Sequence, residues 1–547
     1  MSVELVINGE ATAAPVGATL FDCAELIGIQ VPTSCQKQGK CKECIVEIVD
    51  GIDCLSPRGH DESHLRDGFR LACRCQVATD RGAVRCHTMR RGQMRIERQA
   101  FELPVSHARI ELAPAVTRDG ERILIDGVEV DRSTGPIHGL AMDLGTTTIV
   151  LRLFDLETGE LVADASLENP QRFGGSDVMA RIQYDTLHPG KLLMRTLAGY
   201  LSRAIKEFPV DPRTIYELVV VGNSTMRDIF FRQDVYSIGQ SPYQSITELE
   251  LAAGKRSTTS LVQSGRKSLL PIHPEARVYG APIISGHLGA DAAACMLAVD
   301  LANERRTVAI MDIGTNTELI VGNCQRILAA SCPAGPAFEG GAIACGMPGL
   351  DGAIENVTAV AHGEFELGVI GDVLPDGICG SGLVELMSEL MRTGQMNSLG
   401  RFEDGVEQIV LHGARNIYFT ESDVNELAQA KGANMAGLHT VFSQFGLEFD
   451  DIDVFYLAGG FGRHINVDAA RRIGLIPALA DAKISKVGNA AIEGACIALL
   501  STNKRLELEQ IVRRVEHCRL ETHPHFFDFF VEGCQFKAVE TTLKVAG

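Results

Sequence analysis

The sequence predicts a multidomain chain of mixed α/β and α+β class. A small α+β domain spans residues 1–90, a linker 91–137, and a large two-lobed α/β unit 138–547. Three observations predict this. Val3, Leu5 and Ile7 alternate with polar neighbours, as on a half-buried strand. Four cysteines, Cys35, Cys41, Cys44 and Cys73, gather in the first block. The segment AMDLGTTT (Ala141–Thr148) returns 169 positions later as IMDIGTNT (Ile310–Thr317), with five of eight positions identical. Each copy ends an apolar strand and precedes another, which is the pattern of two related lobes.

Composition narrows the class. Of 547 residues, 45% are hydrophobic and 22% charged, so large cores form and disorder is not the default. The net charge is −19, and the first hundred residues carry 13 basic and 13 acidic side chains, so the acidic excess lies after them. That argues against a nucleic-acid partner, which calls for a basic face. No apolar run approaches the ~18–20 residues of a membrane span. The start, MSVELVINGE, lacks the basic and apolar regions of a signal peptide. A cytoplasmic, reducing setting is expected, where 16 cysteines point to metal or redox chemistry rather than disulfides.

In the first block, Thr19 with Asp22 caps a helix over Leu20–Ile29, and a Cys-rich loop, a strand at Ile45–Val49 and a turn at Asp50-Gly51 follow. The cysteine spacing is C-x5-C-x2-C-x28-C, one residue longer in its first gap than the plant-type [2Fe–2S] spacing. The loop Gln36–Lys40 lets three thiolates and several backbone N–H groups wrap one edge of a cluster, and the fourth thiolate returns from Arg70-Leu71-Ala72-Cys73. A structural zinc is the alternative, although only Cys41/Cys44 forms a C-x-x-C pair. Cys75 is the alternative fourth ligand. Cys23, Cys54 and Cys86 fit no second cluster and read as buried small apolar residues. The linker carries basic MRRGQMRIER, a strand at Ala108–Leu112 and a turn at Asp119-Gly120.

In the large unit, Asp143–Thr148 places a small-residue turn between two strands. Gly145 admits a phosphate close to the backbone, and Thr146, Thr147 and Thr148 donate to its oxygens. Asp143 is a candidate for holding Mg²⁺. The second copy offers Asp312, Gly314, Thr315, Asn316 and Thr317, with Glu318 beside them. VFYLAGGFG (Val454–Gly462) ends an apolar strand in Gly459, Gly460 and Phe461, which lets an adenosine lie flat against the backbone. VVVGNSTM (Val219–Met226), with Asn223, holds the matching strand-end place in the first lobe. No Walker A or convincing G-x-G-x-x-G occurs. The candidate catalytic residues are Asp143, Asp312 and Glu318. The turns Ser331–Gly341, Gly346–Ile354 and Gly377–Leu383 are candidates to line the same cleft. His523 and His525 read as the cap of a core helix, and Asp291 as a helix N-cap.

Residues 1–90 resemble the plant and vertebrate-type [2Fe–2S] ferredoxins, a β-grasp fold, and RLAC resembles their fourth-ligand segment, which favours Cys73. The phosphate and adenosine loops together resemble the acetate-and-sugar-kinase, Hsp70 and actin superfamily, which closes two lobes over ATP. The fusion resembles the reductive activators of corrinoid proteins. PTSCQKQGKCKEC, RLACRC, MDLGTTT, GNSTM, the SDVMARI stretch (Ser176–Ile182), MDIGTNTE, AGPAFEG, GICGSG and LAGGFG carry that likeness. The linker is too short for the extra middle domain that some members carry.

The resemblance implies ATP-dependent return of cob(II)amide, held on a partner protein, to cob(I)amide for methyl transfer such as O-demethylation. It implies a [2Fe–2S] cluster on the four cysteines, ATP with Mg²⁺, a ferredoxin or flavodoxin donor, and a homodimer. The chain lacks a corrinoid-ligating D-x-H-x-x-G, so the cobalt sits on the partner. Arg90, Arg91, Arg95 and Arg98 are candidates to dock it. The rival reading is a small-molecule kinase or hydantoinase-like enzyme with a fused electron-transfer module.

Overall fold

A computed structural model describes residues 2–33, 35–89, 103–403, 405–460, 462 and 464–541. The expectations for Phe461, Arg90, Arg91, Arg95 and Arg98 lie outside the described residues. Among those described, no helix is long and apolar enough to cross a membrane.

The first domain is a five-stranded sheet of β1 (Ser2–Ile7), β2 (Glu10–Pro15), β3 (Ile45–Asp50), β4 (Phe69–Leu71) and β5 (Ala83–Thr88), in the order β2-β1-β5-β3-β4. β1 runs parallel to β5, and the other neighbours are antiparallel. Val3, Leu5 and Ile7 point inward, each at most 1% exposed, as the alternation requires. One helix, Leu20–Leu26, crosses the sheet, with the Asp22 N–H donating to Thr19 Oγ1 at 3.0 Å. It stops short of Ile29 because Gly28 takes the left-handed backbone, φ 76°.

Between the domains, the strand expected at Ala108–Leu112 is instead a 3₁₀ turn, His107–Arg109, followed by an extended stretch whose Ala113 bridges Ser501. The contact to the large unit overrides the local β pattern. A meander of β6 (Val116–Asp119), β7 (Arg122–Ile125) and β8 (Val128–Arg132) follows. Val116, Ile123 and Ile125 join the core between the lobes.

Each lobe repeats one topology. The first has β9 (His138–Leu144), β10 (Thr148–Asp155), β11 (Leu161–Glu168), β12 (Ile215–Val221), β13 (Leu261–Ser264) and β14 (Arg277–Gly280), in the order β11-β10-β9-β12-β14-β13. The second has β15 (Val308–Ile313), β16 (Thr317–Gly322) and β17 (Ile327–Cys332). After a small sheet of β18 (Ala353–Ala361), β19 (Glu364–Val369) and β20 (Gly377–Ile378) and a hairpin of β21 (Gln408–His412) and β22 (Ile417–Thr420), the chain returns through β23 (Val454–Ala458), β24 (Ile484–Gly488) and β25 (Val515–His517). Its main sheet reads β25-β17-β16-β15-β23-β24. In both lobes a three-strand antiparallel meander starts with the strand before the phosphate loop, and that strand pairs in parallel with the next main strand to return. Both faces of these sheets are covered, so β9 and β12 are buried along their whole length.

Two alanine-rich helices, Ala290–Ala298 and Ala490–Leu500, pack against each other between the lobes. Small residues permit the close approach. A Cβ added at Gly494 would stand 2.2 Å from the Ala294 carbonyl oxygen. Both helices begin at the floor of the interlobe cleft. The first domain sits on the outer face of the first lobe and shares one hydrophobic core with it.

Candidate functional site

The cysteine loop leaves the helix and turns through left-handed backbone at Gln36, Lys37, Gly39 and Lys42. Such a run is uncommon for side-chain-bearing residues and marks a backbone held for a purpose. It aims backbone N–H groups of Lys40 and Cys41 at the Cys35 sulfur and that of Gly39 at Cys73. Burial raises the Cys35 thiol, but those donors outweigh it and bring it down to about 6. Cys73 is brought down to about 7, chiefly by a hydrogen bond from Cys44 and against burial. Cys44 is pushed up by that same bond and by burial.

The four sulfurs fall into two pairs. Cys44 Sγ lies 3.3 Å from Cys73 Sγ, and Cys35 and Cys41 each lie 3.9 Å from Thr33 Oγ1. Among the described residues, no three His, Cys, Asp or Glu side chains close around a single metal ion. Paired thiols with backbone donors fit a binuclear iron–sulfur cluster, two thiolates to each iron, better than one tetrahedral zinc. The buried Arg70–Glu62 pair steadies the return strand: Arg70 Nε donates to Glu62 at 2.9 Å and the Leu71 N–H at 2.8 Å. Cys75 is fully buried beside that pair and pushed up to about 12 by burial.

The second site is the interlobe cleft, a cavity of ≈ 300 Å³. Gly145, Thr146, Thr147 and Thr148 line it from one lobe and Gly314, Thr315 and Asn316 from the other, with Asn223, Gly459 and Gly460 at the strand ends. Thr317 does not line it. It is wholly buried on β16, opposite Ile313, because strand alternation turns Asn316 and Glu318 toward the cleft and Thr317 into the core. All three glycine-dense turns contribute, through Glu339, Met347 to Gly349, and Cys379 to Ser381. The loops are held close: a Cβ on Gly459, φ 105°, would stand 2.4 Å from the Ile313 carbonyl oxygen.

Four carboxylates crowd the floor. Burial pushes Asp143 up to about 7, with Asp291 adding to the shift and Asn489 opposing it. Burial likewise raises Asp291 to about 7 and Asp312 to about 6. Glu318 is raised by burial and by Asp291 and Asp312. A divalent cation would let such buried acids ionise together, and although among the described residues no three of them close around one ion as they stand, Asp143, Asp291 and Asp312 are the side chains that line the cleft to meet it.

Sequence reasoning missed four of these side chains. Asp291 is not the N-cap, a place taken by Gly289; it sits one position inside the helix and lines the cleft. Glu339 accepts from Thr147 Oγ1 at 2.9 Å and from Thr315 Oγ1, and so clasps the two phosphate loops together. Asn489 caps its helix with one amide atom and donates to Asp143 Oδ2 at 2.8 Å with the other. Asn223, which the sequence did single out, does the same for Met226 N and Thr146 Oγ1. Glu493 lines the cleft from the helix that Asn489 caps and holds Arg152 at 2.8 Å. A signal was present, since Val-Gly-Asn occurs at both 221–223 and 487–489.

Comparison with known proteins gives three family matches. The 2Fe-2S iron-sulfur cluster binding domain matches residues 5–78, the RACo middle region 138–304, and the C-terminal domain of RACo, the ASKHA domain, 306–545. The corrinoid activation enzyme RamQ of Eubacterium limosum is 32% identical over 447 residues, 76% of this chain and 73% of its own length. The chain belongs to the family of reductive corrinoid activators. Within that family, the Co(II) methylated amine-specific corrinoid protein reductase of Methanosarcina barkeri is 26% identical over 422 residues, covering 72% of this chain and 76% of its own. A solved reductive activator for corrinoid,iron-sulfur protein shares the fold with TM-score 0.72 at 26% identity, over 98% of both chains. The activator fold is a β-grasp ferredoxin domain joined to a two-lobed unit of the actin and Hsp70 type. The middle region is the first lobe itself, so the shortness of 91–137 takes nothing away from it.

Two outcomes are expected. Cys73→Ser abolishes the visible absorption of anaerobically purified protein while Cys75→Ser retains it; the reverse assigns Cys75 as the ligand. The second concerns pH. Asp143, Asp291 and Asp312 hold protons in the folded state above the 3.8 of an ordinary aspartate. Their contribution to stability is therefore complete below about pH 4 and lost as pH climbs through 6 to 7. Protein free of nucleotide and divalent cation should lose melting temperature between about pH 4 and pH 7, and Mg²⁺ should restore it at the upper end. A flat profile unresponsive to Mg²⁺ contradicts the carboxylate site.

Proposed function

We propose that this activator uses ATP hydrolysis to drive one-electron reduction of cob(II)amide, carried on a separate corrinoid protein, to cob(I)amide. One observation carries the reading: the cysteine domain is wired to the phosphate loop. Arg172 pairs with Glu47 on β3, three residues past Cys44, and with Glu168 on β11. Glu168 in turn stands opposite Thr148 of the first phosphate loop. Tyr184 and Tyr200 fasten the same contact by donating to the His64 and Glu43 carbonyls at 2.9 and 3.5 Å.

In this reading the threonine loops and the glycines at 459 and 460 grip the nucleotide. Asp143, Asp291 and Asp312 hold its Mg²⁺, and Glu318 orients the attacking water. Closing the lobes moves the clasp at Glu339 and, through Arg172, the domain that faces the corrinoid partner. A [2Fe–2S] cluster on the four cysteines would supply an electron at about −400 mV. Each 100 mV by which the cobalt is harder to reduce costs about 2.3 kcal/mol, so a change of state linked to ATP is required. The reading includes a reduced ferredoxin or flavodoxin as donor, a homodimer and a cytoplasmic setting.

The test is formation of cob(I)amide on a corrinoid protein poised as cob(II)amide, followed by absorbance under a low-potential donor. ATP should accelerate it, and Asp312→Ala should keep the cluster spectrum while slowing the reaction about 10²-fold or more. Equal rates with and without ATP would defeat the proposal.

A further inference from the structure

A second chamber, of ≈ 520 Å³, lies where the cysteine domain and the two lobes meet. Thr147 and Glu339 line both this chamber and the nucleotide cleft, so the two spaces share a wall at the clasp. Glu47 and Phe69 close it from the cysteine domain, and Gly340 and Gly341 from the second lobe.

Arg181 also lines the chamber and belongs to the SDVMARI stretch, which the nucleotide site leaves unused. It projects from the helix Val178–Leu187, capped by Asp177 through a 2.9 Å bond to the Ala180 N–H. Its side chain is 0% exposed. Nε donates to the Gly175 carbonyl at 3.0 Å and, among the described residues, Nη1 meets only the Met226 thioether at 3.0 Å and Nη2 has no hydrogen-bond partner. The other deeply buried arginines differ. Arg70 has Glu62, Arg152 has Glu493, Arg227 has Asp228 and Arg505 has Glu217, each within hydrogen-bond distance. The acids near Arg181 are engaged elsewhere: Asp177 caps the helix, and Glu339 binds the two threonines. A buried guanidinium without an anion is costly, and burial drags this one down to about 9, still charged at neutral pH. Its planar fork suits a tetrahedral oxyanion.

We propose that Arg181 is a phosphate receptor, and that the chamber takes up phosphoryl oxygens arriving past Thr147 and Glu339. This deepens the ATP-driven reading by giving the reaction's second product a place against the cysteine domain. There, phosphate would compete with Glu339 for the threonine hydroxyls and loosen the clasp. Two sources share this chemistry: orthophosphate released by hydrolysis, and the γ-phosphoryl group of nucleotide still bound.

The experiment uses the full-length holoprotein without corrinoid partner, so it stands apart from the outcome of the reduction assay. Calorimetry and melting curves are recorded with orthophosphate in the presence of ADP, against chloride at equal ionic strength, and with AMPPNP against ADP. Orthophosphate should bind and raise the wild-type melting temperature. Arg181→Met should weaken orthophosphate binding tenfold or more with ADP affinity unchanged, and Arg181→Lys should lie between. If orthophosphate is inert but the preference for AMPPNP over ADP falls tenfold in Arg181→Met, the receptor holds for the bound γ-phosphoryl group. Should Arg181→Met not fold, the wild-type titration and Arg181→Lys decide. Wild-type protein that ignores orthophosphate, with AMPPNP preference unaltered in the variants, overturns the proposal.

Discussion

The structure turns on Arg172. Its guanidinium bridges Glu47 of the cysteine domain and Glu168 of the first lobe. Glu168 is nearly buried and Arg172 only 19% exposed, so the bridge is shielded from the screening that makes surface ion pairs weak. Two tyrosine hydroxyls and a shared apolar core add to it at the same contact. With the bridge, a directional contact joins a strand that leaves Cys44 to a strand that faces the phosphate loop.

The cleft obeys a complementary constraint, which is the burial of several acids together. Burial first, and neighbouring acids after it, raise the proton affinity of Asp143, Asp291, Asp312 and Glu318 at the floor, and Glu339, itself raised by burial, adds a fifth acid between the loops. Such a site is poised to be completed by cation and nucleotide rather than at rest alone. Asn223 and Asn489 make the arrangement rigid. Each spends its carbonyl on a helix N-terminus and its amide on a phosphate-loop side chain, so loop position follows helix position. The helix of Asn489 packs against that of Asp291 across the lobe interface, where the backbones nearly touch at Gly494. A hinge movement between those helices therefore moves the acids and the threonines together.

Much of this was legible in the sequence. Fixed spacing located the cysteine loop, and repetition of Asp-x-Gly-Thr located both phosphate loops, because each needs particular residues at particular steps of one short segment. The strand beyond the second loop was readable by period, and reading it as a run placed Thr317 on the wrong face. Asp291, Glu339 and Glu493 were not legible, and Asn489 only through the second Val-Gly-Asn. They reach the cleft from one turn and the starts of two helices, spread between positions 291 and 493, and each has an ordinary local explanation in its own turn or helix start. The stretch after His107 failed for the opposite reason: its local pattern was β-like, but docking on Ser501 and on Glu493, which accepts the His107 N–H at 2.7 Å, decided its shape.

The central claim is that the nucleotide state reaches the cysteine loop through one partly buried ion-pair bridge. Hydrogen–deuterium exchange of residues 35–44 in the holoprotein, with and without AMPPNP, tests it most directly. The account predicts a nucleotide-dependent change in exchange that Arg172→Met removes while nucleotide affinity is retained. Exchange in that loop that ignores the nucleotide, or that responds equally in wild type and Arg172→Met, would contradict it.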